Sequence, residues 1–196
     1  MSEALGPEFF ERSVHEVAQG LIGCTLLFGD RGGVIVETES YERDDPACHA
    51  YIGQTKRNEV LFGPPGRAYV YLSYGIHSLL NAVAEPEGDA AAVLIRALRP
   101  TVGIEAMRRR RGREREEELC SGPGKLTEAL GIDLGDNGAS LSAPPFAILE
   151  REGEWAEVEV AAGPRIGITK AADRPWRFCA AGCRFVSRPW PVAKAA

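Results

Sequence analysis

The chain has 196 residues, of which 44% are hydrophobic and 26% are charged, and it contains 22 glycines, 13 prolines and five cysteines. This composition excludes a disordered, collagen-like or coiled-coil protein, and the absence of any 18-residue apolar run excludes a transmembrane helix. The formal net charge of −5 argues against nucleic-acid binding, because cationic surfaces bind phosphate. Scattered cysteines and an N-terminus without a signal-peptide pattern predict a cytoplasmic protein.

The first third of the chain changes from a helical to a β pattern. Residues 7–23 carry apolar side chains at helical spacing and predict an amphipathic helix. Residues 24–27 and 33–39 predict the two strands of a hairpin, which the turn-rich residues 29–32 connect. Residues 41–66 show no periodicity. A stretch of that length inside a compact domain is typical of a functional or disordered loop.

The rest of the chain predicts more strands than helices. Helices are predicted over residues 103–111, which end in four arginines, and over 126–130 after a Gly-Pro start. The proline-rich residues 187–191 cannot continue a central strand. Strands are predicted over residues 68–74, 76–83, 90–98, 147–150, 156–160 and 183–186. Because no linker or repeat interrupts this pattern, we predict one mixed domain over residues 1–196.

Charge is distributed unevenly along the chain. Residues 1–50 carry 3 basic and 10 acidic side chains, whereas residues 91–115 carry 8 basic and 2 acidic ones. Three glutamates follow at 116–118. Such a basic stripe is either a solvated charged surface or a binding face, and composition alone favours the solvated surface.

Two carboxylates occupy the end of the strand predicted over 33–39. Alternation places Glu37 and Glu39 on the same face as Ile35. Both carboxylates either face water at the rim, or one of them is a general base held at the edge of a pocket. The pattern by itself leaves both interpretations open.

Four possible metal ligands crowd the loop that follows: Asp44, Asp45, Cys48 and His49. Their spacing matches no zinc pattern, so a histidine hydrogen-bonded within the loop is favoured over a metal ligand. A metal-dependent hydrolase that uses Glu37, Glu39, Asp45 and His49 remains a rival hypothesis.

The strand predicted over 68–74 is rich in tyrosine. Alternation places Tyr69 and Tyr71 on one face, where they either pack in the core or line a pocket. Tyr74 lies beside Gly75 at a predicted tight turn and is expected to project outward. Exposed aromatic rings together with cationic residues are typical of proteins that stack unpaired bases.

Long motifs extend these features over nearly the whole chain. In order they are residues 34–41 (VIVETESY), His49, Arg57-Asn58, 62–66 (FGPPG), 69–77 (YVYLSYGIH) with Asn81, 94–98 (LIRAL), 119–126 (LCSGPGKL), 165–168 (RIGI) and 175–178 (PWRF). Taken together they resemble the alkyladenine (3-methyladenine) DNA glycosylase family.

The resemblance implies both a fold and an activity. The fold is α+β, a single mixed domain with a curved antiparallel β-sheet, peripheral helices and a protruding β-hairpin. The activity is that of a monofunctional DNA glycosylase, which flips alkylated or deaminated purines out of double-stranded DNA and hydrolyses the N-glycosidic bond in base excision repair. No cofactor, metal or membrane is implied, and a monomer is expected. 3-Methyladenine, 7-methylguanine, hypoxanthine and ethenoadenine all remain open as substrates.

The resemblance also implies roles for the residues that carry the reaction. Glu39 matches the general base that activates water for attack on C1′, and Arg96 matches an arginine near that water. Tyr74 matches the residue that intercalates where the flipped nucleotide was. None of the four lysines falls in the pocket motifs, so no AP lyase activity is expected. A lesion-binding module without turnover is a second rival hypothesis.

Further residues match the walls of the base pocket. Tyr41, His49 and Tyr71 match the side chains that sandwich the flipped base, and Asn81 matches the residue that disfavours the 2-amino group of guanine. Ser40 departs from the alanine common in the family. One fewer residue than in mammalian relatives precedes His49, which leaves its position less certain.

DNA binding must be reconciled with the acidic net charge. A net charge is an average over the whole molecule, so a basic face remains compatible with it. We therefore expect Arg96, Arg99 and the cluster at 108–115 to gather on the side of the Tyr74 hairpin.

Overall fold

Strand β2 organises the fold, because three other strands pair with it. The computed structural model describes residues 3–189, in which eight strands form one antiparallel sheet. The strands are β1 Thr25–Phe28, β2 Arg31–Tyr41, β3 Ala68–Ser73, β4 His77–Ala84, β5 Ala91–Val102, β6 Phe146–Leu149, β7 Val160–Gly163 and β8 Arg177–Ala180.

The strand order is β3-β4-β5-β2-β1-β6, and β8 joins β2 beyond the end of β1 and carries β7. The α+β class with an antiparallel sheet is therefore confirmed.

Five α-helices surround this sheet in the described part of the chain. They are α1 Pro7–Phe10, α2 Val14–Leu21, α3 Ile104–Arg111, α4 Glu116–Leu119 and α5 Pro123–Leu130. Helix α2 buries Val14, Val17, Ala18 and Leu21 in the main core. Each fully buried valine or leucine side chain contributes about 1.5–3 kcal/mol. Within residues 3–189, no helix is long and apolar enough to cross a bilayer.

The predicted helix over 7–23 is wrong in its middle, because Ser13 divides it in two. The Ser13 hydroxyl accepts a hydrogen bond from the backbone N–H of Glu16 at 3.4 Å and caps the start of α2. A serine that satisfies a free N–H at a helix start stabilises a new terminus more than it does a helix interior.

Several strand boundaries also differ from the prediction. Strand β2 extends to Arg31 and Tyr41, so the connection from β1 is only the two residues after Phe28. Strand β5 continues to Val102, and β7 lies at Val160–Gly163 rather than over 156–160. Pairing with neighbouring strands determines where each strand begins and ends, and the local sequence pattern does not reveal that pairing.

Strand β8 was missed, and the strand predicted over 183–186 does not form. Residues Arg177–Ala180 are fully buried beside β2, and a strand buried on both faces has no alternation to reveal it. Residues 183–186 follow in turns and bends. The predicted proline-rich segment 187–191 forms no strand up to residue 189, and its last two residues lie outside the described part.

Two features of the sheet position the site. The register between β2 and β5 shifts on both sides of Glu37, so the predicted alternation is broken: Ile35 packs in the hydrophobic core, whereas Glu37 does not. The segment predicted as irregular over 41–66 begins after Tyr41, the last residue of β2, and contains short 3-10 turns at His49–Ile52 and Glu59–Phe62. It covers a second, smaller core that contains Cys48, Ala50, Leu61, Tyr69, Val83, Ala90 and Ala92.

Candidate active site

A cavity of about 280 Å³ opens between the end of β2, the loop that follows it and the β3–β4 hairpin. This volume is at the low end for ligand sites, which suits a group about the size of one base. All five residues predicted for base binding and intercalation line it: Tyr41, His49, Tyr71, Tyr74 and Asn81. The hairpin and the loop thus bring together side chains from three separate motifs.

Glu39 lies directly behind the cavity wall and is fully buried. Its Oε1 accepts a hydrogen bond from the backbone N–H of Ile166, and its Oε2 accepts one from the hydroxyl of Tyr41, both at 2.8 Å. Arg96 Nη1 is 3.1 Å from the same Oε2 and forms an ion pair with it. Three donor groups thus compensate the negative charge of this carboxylate.

Glu37 holds Arg96 from the other side. The Glu37 carboxylate accepts hydrogen bonds from Arg96 Nε at 2.8 Å and from Arg177 Nε at 2.7 Å. Both the hydroxyl and the backbone N–H of Ser187 also donate to it. We call Glu37, Glu39, Arg96, Arg177 and Ser187 the ionic cluster. The hypothesis that the two carboxylates face water is therefore wrong, and these contacts give Glu37 a structural role.

Burial and charge act in opposite directions on Arg96. Desolvation lowers the pKa of its guanidinium, but the negative charges of Glu39 and Glu37 outweigh that effect and raise it above its ordinary value. Arg96 is therefore a permanent cation that links the two carboxylates.

A second buried ion pair supports Tyr41 from behind. Arg165 pairs with Asp45, and both side chains are completely buried. The guanidinium carbon of Arg165 lies 4.6 Å from the centroid of the Tyr41 ring, and its Nη1 donates to the backbone carbonyl of Ser40. The carboxylate of Asp45 is thus paired with Arg165 and does not form a common metal site with His49. Within residues 3–189, no group of three His, Cys, Asp or Glu side chains could hold a metal ion.

His49 is held against two tyrosines. Its Nδ1 lies 2.9 Å from the hydroxyl of Tyr69, and its ring centroid is 4.5 Å from that of Tyr71. Burial and, to a smaller extent, the positive charge of Arg57 lower the pKa of His49. Burial also raises the pKa of Tyr71 to about 12, with a smaller contribution from Glu39. Both rings are therefore uncharged near pH 7.

Asn81 sits between neighbouring strands. It is paired with Tyr69 on β3 and with Leu94 on β5, and its Nδ2 donates to the Tyr69 carbonyl at 3.1 Å. This contact fixes the amide at the cavity wall.

The tip of the hairpin is exposed, as predicted. Tyr74 is 90% exposed and Ile76 is 73% exposed. Tyr74 has a φ of 51° and Gly75 one of 72°, so both lie in the left-handed region. That conformation costs a tyrosine about 1–2 kcal/mol. The turn therefore presents a large ring to solvent in spite of the backbone cost.

The predicted basic face is wrong for Arg96, which is buried. Arg99 pairs with Glu154 at 2.6 Å. Neighbouring glutamates also neutralise much of the stripe: Arg108 pairs with Glu105 and Glu116, Arg111 with Glu128, Arg113 with Glu118, and Arg115 with Glu117 and Glu118. The cation that lines the cavity is instead Arg57, which is exposed and donates to the carbonyl of Leu72 at 3.4 Å.

Sequence reasoning missed several residues of the site. Ile166 and Arg177 lie in motifs that we recognised but to which we assigned no role. Tyr69 was placed on the correct face, yet its contact with His49 was not foreseen. No sequence pattern pointed to Ser187. Its hydroxyl and backbone N–H reach Glu37 only because of the course that the chain takes after β8.

Comparison with known proteins defines the class of this fold and site. A model of the methylpurine-DNA glycosylase family matches residues 8–184. The protein is thus a DNA glycosylase, a hydrolase that acts on N-glycosyl bonds. The chain belongs to the methylpurine-DNA glycosylase family, which confirms the resemblance seen in its motifs.

Relatives from several bacteria resemble the chain over nearly its full length. One from Rhodopseudomonas palustris is 62% identical over 192 residues, which cover 96% of this chain and 92% of the relative. One from Nitrobacter winogradskyi is 56% identical and covers 98% and 91%, and one from Bradyrhizobium diazoefficiens is 56% identical and covers 97% and 94%. Each is named "Putative 3-methyladenine DNA glycosylase".

Proposed function

We propose that this protein excises alkylated or deaminated purines from double-stranded DNA by flipping the nucleotide and hydrolysing its N-glycosidic bond. The observation that carries the proposal is Glu39, a buried carboxylate held directly behind an aromatic cavity whose rim bears the exposed Tyr74. The names of the bacterial relatives support 3-methyladenine as one substrate.

Nucleotide flipping is the first step. Extruding a nucleotide costs a few kcal/mol, and less when the base is damaged or mispaired. Tyr74 offsets part of that cost by stacking in the vacated space, which its exposure allows. The left-handed turn at Tyr74 and Gly75 holds the ring out from the protein before DNA arrives.

The cavity then receives the base. Tyr41, Tyr71 and neutral His49 present π faces, which attract a positively charged N3- or N7-alkylated purine by about 0.5–2 kcal/mol. A neutral base such as hypoxanthine gains less and needs a hydrogen-bond donor. If Tyr69 donates to His49 Nδ1, the histidine proton lies on Nε2, which supplies that donor. Asn81, fixed at the wall, disfavours the 2-amino group of guanine.

Bond cleavage uses the buried carboxylate. Glu39 accepts a proton from a water molecule as the water oxygen bonds to C1′, and the bond from C1′ to the base nitrogen breaks with its electron pair on the base. The negative charge of Glu39 also stabilises the positive charge that develops on the sugar, and Arg96 fixes the carboxylate. General-base assistance of this kind is worth ~10²–10⁴-fold.

The same proposal covers the reaction's scope and setting. None of the described residues that line the cavity is a lysine, which supports hydrolysis without AP lyase cleavage. Residues 1–196 act as one glycosylase domain and as a monomer. The bacterial relatives, whose DNA lies in the cytoplasm, support a cytoplasmic location. Neither a metal nor a cofactor takes part.

A base-release assay tests the proposal. Wild-type protein is incubated with duplexes that contain one hypoxanthine or one 3-methyladenine, with and without EDTA, and free base is quantified. We expect free base, undiminished by EDTA, and a DNA strand that breaks only after alkali. Release of base from neither lesion would overturn the proposal. Tight binding to a lesion duplex without release would favour a damage-binding module. Loss of release in EDTA would support the metal-dependent rival.

A further inference from the structure

The hydroxyl of Tyr41 has a contact that base stacking does not require. Tyr41 lines the cavity, but its hydroxyl donates at 2.8 Å to Oε2 of Glu39, a residue outside the cavity lining. A phenylalanine would stack on a flipped base equally well. The position therefore holds a tyrosine in direct contact with the proposed general base.

From this contact we infer that Tyr41 is a positioning residue for Glu39, in addition to being a wall of the base pocket. The inference rests on the proposed function, because it assigns Tyr41 to the same reaction. It states that the hydroxyl fixes the orientation of the carboxylate and sustains its negative charge.

The surroundings keep this hydroxyl a donor. Burial and then the negative charge of Glu39 raise the pKa of Tyr41 well above its ordinary value, so it stays protonated over the working range of pH. Arg165 stacks behind the ring and bonds to the carbonyl of Ser40, the residue between Glu39 and Tyr41. The ring and the strand that carries it are thus held from behind while the hydroxyl engages the carboxylate.

The contacts of Glu39 explain why orientation matters. Oε2 faces both the Tyr41 hydroxyl and Arg96, whereas Oε1 accepts one hydrogen bond, from the Ile166 N–H. Oε1 therefore keeps an acceptor position for a water molecule, and Ile166 precedes Gly167 and Ile168 of the cavity lining. If the Tyr41 donor is lost, Oε2 keeps only Arg96 as a partner, and the orientation of the carboxylate is less tightly constrained.

The experiment compares single-turnover excision of hypoxanthine by wild type, Tyr41→Phe and the matched control Tyr51→Phe, whose ring is exposed and outside the cavity. We expect Tyr41→Phe to lower the rate about tenfold to a hundredfold, since a hydrogen bond to a charged group is lost. Lesion binding should stay within error of wild type, and the urea midpoint should fall only by what the loss of one buried hydrogen bond costs.

A double-mutant cycle separates positioning from stacking. In a Glu39→Gln background, with 7-methylguanine as the substrate because its cationic base departs readily, Tyr41→Phe should change the residual rate less than twofold. An equal loss in both backgrounds, or a Tyr41→Phe rate that matches wild type, would overturn the inference. So would a fall in both lesion binding and urea midpoint, which would make the hydroxyl structural. Absence of release by wild type would instead reject the proposed function itself.

Discussion

The ionic cluster and the hairpin tip are the two halves of the site, and they are built in opposite ways. In the cluster, Glu37 and Glu39 are fully buried, and each carboxylate oxygen has at least one partner. At the tip, Tyr74 and Ile76 are largely exposed, and the backbone of Tyr74 is strained. The structure thus fixes the orientation of a buried carboxylate and exposes the ring of Tyr74 to solvent.

This difference shows where each kind of function is placed. Under the proposed function a general base must be held to within a fraction of an ångström, and Glu39 lies on the central strand β2 with Arg96 beside its carboxylate. A wedge must find its partner in DNA, so protein contacts would compete with its task. We therefore expect changes in the cluster to affect stability and catalysis, and changes at the tip to affect binding and flipping alone.

The largest effect on stability is expected from Glu37→Ala. It leaves Arg96 and Arg177 buried without their shared carboxylate, which should lower the free energy of unfolding by about 3–5 kcal/mol. Urea denaturation measures this. Glu154→Ala, which removes the exposed partner of Arg99, is the matched control and should cost less than about 1 kcal/mol. Equal losses in the two variants would remove the distinction between cluster and surface.

Tyr74→Ser should weaken DNA binding without lowering the free energy of unfolding. Loss of a stacked aromatic ring costs about 1–3 kcal/mol, so affinity for a lesion duplex should fall roughly tenfold. The urea midpoint should stay unchanged, because the exposed ring is not part of the core and serine carries the same left-handed backbone cost. Leu134→Ser, at another exposed apolar residue, is the control and should leave binding unchanged. Unaltered affinity and excision in Tyr74→Ser would refute its role as a wedge.

Arg57→Ala tests which cation meets DNA. Loss of one phosphate contact should reduce the slope of log affinity against log salt by about one, to a similar extent for damaged and undamaged duplexes. Arg99→Ala should leave the slope unchanged, because Glu154 already pairs with that arginine. A larger change of this slope in Arg99→Ala than in Arg57→Ala would indicate that DNA contacts Arg99 and not Arg57.

The smallest effect concerns His49. Its pKa is lowered by burial and by Arg57, so the unfolded chain binds a proton at a higher pH than the folded one does. Stability from the neutral ring is therefore present above the unfolded pKa, near 6.5, and is lost as the pH falls through the lower folded value. The decrease in urea midpoint from pH 7 to pH 5 should be smaller in His49→Gln than in wild type, and a larger decrease would contradict the assignment.

Much of the site could be predicted because its residues lie in motifs shared with the glycosylase family. That resemblance placed Tyr41, His49, Tyr71, Tyr74 and Asn81 in or beside one pocket, and the cavity brings all five together. The tight turn at Gly75 correctly predicted that Tyr74 projects outward. Such predictions succeed where a short motif carries both the residue and its local geometry.

Long-range partners could not be predicted in the same way. The burial of Glu37 depends on Arg177 and Ser187, which lie 140 and 150 residues further along the chain. The basic stripe was misleading for the same reason, since local counting does not show that Glu128 pairs with Arg111. A bulge beside Glu37 likewise arises from strand pairing and has no signature in a period-two pattern.

The central claim is that the buried Glu39 is the general base of a purine-excising glycosylase. Single-turnover release of hypoxanthine by wild type and Glu39→Gln, at enzyme concentrations that saturate the same lesion duplex, tests it most directly. We predict a loss of at least about a hundredfold in rate with lesion affinity retained. Release by Glu39→Gln at the wild-type rate would contradict the account.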